Sequence, residues 1–174
     1  LIASSGCAVN CRYCFRRHFP YDENRNSRRE WHAALRYIAE DSGIEEVILS
    51  GGDPLLLTDP ALRELCADIA AIDHVKRLRI HSRLPVVIPD RVTQALLEAI
   101  LPAGVQTVVV LHCNHANEID DSVGAVVAMM KARGITVLNQ AVLLAGVNDS
   151  VRAQAALSEG LFAAGVLPYY LHLL

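Results

Sequence analysis

Short apolar bursts rich in β-branched residues recur along the chain, at EEVILS (45–50), RLRIHS (77–82), QTVVVLH (106–112), ITVLNQAVLL (135–144) and GVLPYYLHLL (165–174). LIAS at residues 1–4 is a candidate for an earlier one. Their centres lie roughly thirty residues apart, the length of a strand–helix–strand unit. Runs this short and this continuously apolar predict parallel strands buried on both faces. Between them the period turns helical. Trp31, Leu35 and Ile38 fall on one stripe, and Leu62, Leu65, Ile69 and Ile72 on a second. Val92, Leu96 and Ile100 make a third, Val123, Val127 and Met130 a fourth, and Leu157 with Leu161 a fifth. Asp59-Pro60 opens the second helix, Gly134 closes the fourth after Lys131 and Arg133, and Asp149 is placed to cap the fifth. Core packing accounts for these stripes, with Cys66 among them.

Five or six such units predict an α/β fold, either a doubly wound sheet or a partial barrel. In both, ligands bind at the carboxyl ends of the strands. The polar and unusual residues collect there: SGGDP after the second burst, HSRLP after the third, HCNHANE after the fourth, NQ within the fifth and YYLH in the sixth. One face of the fold gathers every candidate site.

Composition narrows the picture by exclusion. The 174 residues suffice for one domain with a sizeable core. No apolar run approaches the ~20 residues that cross a bilayer, so no membrane association is expected. Nothing looks like an export leader, so a reducing cytoplasm is the expected compartment. A net charge of -3 gives no reason to expect nucleic acid as a partner. The arginines near the start (Arg12, Arg16, Arg17, Arg25, Arg28, Arg29) read first as a solvated face. Five cysteines are too few and too uneven for a disulfide framework. Leu1 at the start and PYYLHLL at the end suggest the core of something longer.

Chemistry enters with CAVNCRYC at residues 7–14. Three thiols on a short loop can point at one metal centre. A structural zinc site needs a fourth ligand, which His18 could supply. Three cysteines without a fourth suit a four-iron cluster with one iron left open. Gly51 and Gly52, at the end of the second strand, carry no side chain and would let backbone approach a ligand closely.

CxxxCxxC after the first strand with GGDP after the second is the signature of radical S-adenosylmethionine enzymes. CRYCFRRHFPY, SGGDPLL, RLRIHSRLPVVIP, HCNHANEID, LNQAVLL, GVND and PYYLHLL further resemble, in order, segments of the lysine 2,3-aminomutase family. RRHFPY and YYLH look most like the bacterial subgroup that makes β-lysine for translation elongation factor P. The resemblance implies a partial (β/α)6 TIM-like radical barrel spanning 1–174 as one core domain. It implies that Cys7, Cys11 and Cys14 hold a [4Fe–4S] cluster, whose open iron is chelated by S-adenosylmethionine. An electron from the cluster then cleaves the C5′–S bond to give a 5′-deoxyadenosyl radical. By the same resemblance Gly51, Gly52 and Asp53 line the methionine amino group. His112 and Gln140 contact S-adenosylmethionine, with Ser82 and Asn114 as further candidates, and Arg16 binds the substrate carboxylate.

The family also uses pyridoxal phosphate on a lysine. This chain has two lysines, Lys76 before the third strand and Lys131 at a helix end, and neither is placed to serve. The resemblance therefore implies that the intact protein supplies pyridoxal phosphate binding elsewhere. The expected reaction is migration of the α-amino group of lysine to C3, with free lysine, glutamate or arginine as alternative substrates. A flavodoxin or ferredoxin is the expected electron donor, docking near Arg12 and Arg17. A zinc-stabilised binding domain is the alternative of another class.

Overall fold

The computed structural model describes residues 1–14, 16 and 28–173. Six strands form one sheet in the order β1-β2-β3-β4-β5-β6, and every neighbouring pair is parallel. They are β1 (Ile2–Ser4), β2 (Glu46–Gly51), β3 (Arg77–Ser82), β4 (Gln106–His112), β5 (Thr136–Val142) and β6 (Leu167–His172). Each apolar burst is thus a strand, and the candidate at residues 1–4 is β1. Sequential parallel order with a helix in each connection is the winding of a (β/α) barrel, here an open, six-stranded part of one.

The helices cover one face. They are α1 (Arg28–Glu40), α2 (Asp59–Ala70), α3 (Leu84–Val87), α4 (Gln94–Ala99), α5 (Asp121–Ala132) and α6 (Val151–Ala163). The stripe residues Leu62, Leu65, Ile69, Leu96, Ile100, Val127 and Met130 are fully buried against Leu49, Leu78, Ile80 and Val109 of the strands. Two boundaries differ from expectation. Val92 belongs to no helix, because Pro85 and Pro89 break the segment and the Thr93 side chain accepts from Leu96 N to start α4 afresh. Val92 nonetheless stays buried with its stripe. The cap of α6 is Ser150, whose Oγ accepts from Ala153 N at 3.1 Å. Asp149 instead accepts from Gly146 N at 2.9 Å and closes the turn before it. Gly134, at φ +77°, ends α5 in the left-handed conformation that glycine takes without strain.

Alternate residues of the strands point to the other, concave face. Val108, Val110 and Leu138 form a small apolar cluster there, separate from the main core. Beside Val108 in register, Arg79 grips Glu46 with two bonds of 3.0 Å, from Nε and Nη2. Arg79 also donates to the Tyr169 hydroxyl at 3.3 Å and lies 5.3 Å from that ring's centre. β3 and β6 are three strand spacings apart, roughly 14 Å along a flat sheet, and the curl of the sheet brings these side chains together. Above the cluster, at the carboxyl ends, the concave face opens into a cavity.

Candidate functional site

The cavity measures about 610 Å³, within the range of small-molecule sites. Cys7, Cys11, Cys14, Arg16, Gly51, Gly52, Asp53, Ser82, His112 and Gln140 all line it. Thus all but one of the candidate residues share one space. Asn114 is the exception. It is buried behind the wall, where its Oδ1 accepts from Val142 N at 2.8 Å and its backbone oxygen accepts from Asn148 Nδ2 at 2.7 Å.

The glycine pair is required by packing of the cysteine loop. A Cβ on Gly52 would stand 2.1 Å from Gly6 O, and one on Gly51, at φ +123°, would stand 2.4 Å from Ser4 O. Gly52 N donates to Ser4 O at 2.7 Å and Asp53 N to Gly6 O at 2.8 Å. The backbone that approaches so closely is the chain leading into Cys7. The pair therefore fixes where the thiol loop departs from the sheet.

Asp53 is a hub. Its Oδ1 accepts from Ser82 Oγ at 2.7 Å and Leu55 N at 3.0 Å, and its Oδ2 from Arg83 N at 2.8 Å and Leu84 N at 3.2 Å. Burial raises its pKa, while the four donors act in the opposite sense and suit the ionised carboxylate. With four donors already bound, Asp53 ties the end of β2 to the end of β3. Ser82, which also accepts from Leu84 N at 3.1 Å, belongs to the same knot.

The cysteines present thiols to the cavity from one side. Burial, then Asp53 and the other two thiols, pushes Cys7 up. Burial likewise raises Cys11, with the Arg83 guanidinium opposing it. Sulfurs so placed release their protons when a cation takes them. Among the described residues no three Cys, His, Asp or Glu side chains converge tightly enough to hold a single metal ion. His18, the zinc alternative's fourth ligand, lies outside the described residues, as does Arg17. The three thiols lie close enough to act on one another's charge and line the same cavity as Gly51 and Gly52. By contrast Cys66 and Cys113 are buried, and burial raises both to about 12. Cys66 packs in the core, as expected, and Cys113 leans on His115 O.

Sequence reasoning missed several residues of the wall. Tyr13 stands edge-on to His112, with ring centres 5.2 Å apart, and Arg83 lies 5.5 Å from the Tyr13 ring centre. Glu118 holds Arg83 Nη2 at 2.8 Å while its other oxygen accepts from Asn114 N and His115 N. The HCNHANE segment is therefore a clamp for an arginine. That role is hidden in the sequence because the partners are 35 residues apart. His81 contacts Gln140, and Tyr170 and His172 reach the cavity from β6. Arg16 Nη1 donates to Gly51 O at 3.1 Å. His112 is lowered to about 4 by burial first, then by Arg83 and the other two imidazoles, so it is neutral at pH 7. Neither lysine lines the cavity; Lys76 pairs with Glu45 beyond the opposite end of the strands.

A parallel sheet carrying a thiol loop on its first strand end and a glycine ledge on its second defines a class, and the comparisons agree with it. Residues 1–156 match the Radical SAM superfamily, and the chain belongs to that superfamily. Its relatives include L-lysine 2,3-aminomutase of Escherichia coli, 53% identical over 174 residues, and that of Haemophilus influenzae, 54% identical over 173. These alignments cover 100% and 99% of this chain and 51% of each relative. L-lysine 2,3-aminomutase of Clostridium subterminale is 35% identical over 176 residues, covering 99% of this chain and 41% of the relative. The chain thus spans about half the length of these curated relatives.

Proposed function

We propose that residues 1–174 form the cluster-binding and S-adenosylmethionine-binding core of a lysine 2,3-aminomutase that converts L-lysine to β-lysine. The observation that carries this reading is the convergence of Cys7, Cys11, Cys14, Gly51, Gly52, Arg16, His112 and Gln140 on one cavity in a chain of this superfamily. Cys7, Cys11 and Cys14 would hold a [4Fe–4S] cluster, which supplies the electron that makes S-adenosylmethionine a radical source.

The chain's own side chains do the rest by position and charge. Gly51 and Gly52, packed against the backbone of Ser4 and Gly6, form a ledge beside the methionine amino end, and Asp53, held by its four donors, fixes that ledge. His112, neutral, and Gln140 offer hydrogen-bonding atoms without adding charge. Arg16, on the thiol loop just after Cys14, has the planar fork that suits a substrate carboxylate. Ile48, Leu84, Val87 and Val142 supply apolar lining to the space where a radical would be made.

In the full-length protein we assign pyridoxal phosphate and the grip on the distal amine of lysine to the half that this chain does not span. β-Lysylation of elongation factor P is the proposed use of the product, and a flavodoxin or ferredoxin the proposed electron donor, meeting Arg12, which is exposed. Among the described residues no helix is long and apolar enough to cross a membrane. The test is anaerobic reconstitution of the full-length protein with iron and sulfide, followed by S-adenosylmethionine, pyridoxal phosphate, reductant and L-lysine. Brown protein, 5′-deoxyadenosine and β-lysine are expected. A colourless protein retaining one zinc ion would sink the reading.

A further inference from the structure

His81 stands on β3 one residue before Ser82, and neither the motifs nor the comparisons assign it a role. Its Nδ1 lies 3.1 Å from Gln140 Oε1. A carboxamide oxygen can only accept, so Nδ1 carries the hydrogen and donates. In a neutral ring that leaves Nε2 as a lone-pair acceptor. The surroundings favour the neutral ring: burial lowers its pKa, the Gln140 bond opposes that, and Arg79, Arg16 and His172 press the same way as burial.

Nε2 is buried and has no partner among the described residues, yet the ring lines the cavity. In register His81 sits opposite Val110, which in turn pairs with Leu138 on the strand beyond. None of these can donate a hydrogen bond. A buried acceptor without a protein donor, on the wall of a cavity, is matched by what enters the cavity. The Gln140 bond is what makes the match selective: it fixes the tautomer, so His81 offers the cavity an acceptor and not a donor.

We propose that His81 is a ligand-positioning residue, its Nε2 accepting a hydrogen bond from an O–H or N–H group of the molecule bound in the cavity. This rests on the reading given under Proposed function, in which two bound molecules bring such donors. One is S-adenosylmethionine, through its ribose hydroxyls. The other is the amino-acid substrate, through its amino group, beside the carboxylate that Arg16 would hold.

Two variants separate the two nitrogens. His81→Asn keeps a donor near Nδ1 for Gln140 and removes the acceptor. His81→Gln places an amide oxygen near the Nε2 position. Each is prepared as full-length, cluster-reconstituted protein, with iron content and thermal midpoint matched to wild type. The readouts are the Kd of S-adenosylmethionine by equilibrium dialysis, and KM and kcat for L-lysine at saturating S-adenosylmethionine. His81→Asn is expected to raise one of the two constants about tenfold, the worth of one neutral hydrogen bond. His81→Gln should recover most of that loss, and kcat should change less. A raised Kd assigns the donor to the ribose; a raised KM assigns it to the substrate amine. Both constants within twofold of wild type in His81→Asn overturn the proposal, as does equal loss in both variants. Should the asparagine variant fail to load iron, His81→Leu serves in its place, with the same loss expected and the same overturning result. If wild-type protein binds S-adenosylmethionine but forms no β-lysine, the proposed reaction fails, while the Kd comparison still decides His81.

Discussion

Gly52 is the residue where least can change. Its missing side chain leaves room for Gly6 O, and a methyl there must push the thiol loop off the sheet. Gly52→Ala is expected to fold but to bind substantially less iron and sulfide on reconstitution, read by metal analysis and absorption near 400 nm. Gly124 on α5 has nothing within 4 Å of its would-be Cβ, so Gly124→Ala should be neutral or stabilising by up to about 1 kcal/mol. At the same scale, His112 has a folded pKa of about 4, below the ordinary 6.5. Between those values the unfolded chain binds more protons, so this group's contribution to stability is lost as pH falls from 6.5 towards 4. His112→Gln should therefore flatten the acid limb of a urea-unfolding series by about 2 kcal/mol at pH 5, in protein without cluster or S-adenosylmethionine. A slope identical to wild type would show that His112 is not held neutral.

Strands and their ends set the next level. Asp53 accepts four bonds, and three of them, from Ser82 Oγ, Arg83 N and Leu84 N, join the end of β2 to the end of β3. Asp53→Asn replaces one acceptor oxygen by a donor facing two N–H groups or a hydroxyl and an N–H. A loss of about 3 kcal/mol is expected, measured by chemical unfolding. At the other end of the concave face, Glu46 and Arg79 are a partly buried, doubly bonded pair. Removing either alone should cost more than removing both, with a coupling of about 1–2 kcal/mol in a double-mutant cycle. The strands were readable because each centres on a short burst of apolar, mostly β-branched residues, and the helices because their stripes keep one period. Val92 shows where that fails: a buried position can continue a stripe after the helix carrying it has been broken by proline. Asp149 shows a second failure, since two adjacent capping residue types, Asp149 and Ser150, cannot be ranked without knowing which backbone N–H groups are left over. For the site, cysteines and glycines were legible because their spacing is local. Arg83, Glu118 and His81 were not, because each acquires its meaning from a partner on another strand end.

The whole molecule is an open set of six strands whose cavity wall on the β6 side is made by Tyr170, His172 and Leu173. Tyr169, Tyr170 and Leu171 keep 42%, 43% and 51% of their surface exposed, whereas β3, β4 and β5 in the middle of the sheet are covered. A cavity with one thinly covered wall can hold a cofactor without completing a reaction chamber. The prediction at this scale is a contrast between lengths. Residues 1–174 alone should bind iron, sulfide and S-adenosylmethionine yet make no β-lysine, while the full-length protein makes it. β-Lysine from the shorter chain, followed by chromatography of the reaction mixture, would refute the division of labour.

The Asp53 knot has a mechanical corollary. The thiol loop hangs from Gly52 N and Asp53 N, while Asp53's carboxylate holds the backbone of Arg83 and Leu84. One residue thus grips two parts of the cavity wall, its main chain holding the segment that leads into Cys7 and its side chain holding the backbone of Arg83 and Leu84. A ligand that draws Arg83 inward would pull on the same residue from which the cysteines are suspended. The segment leading into Cys7 and the backbone that carries Arg83 are therefore linked through a single residue, with no hinge between them.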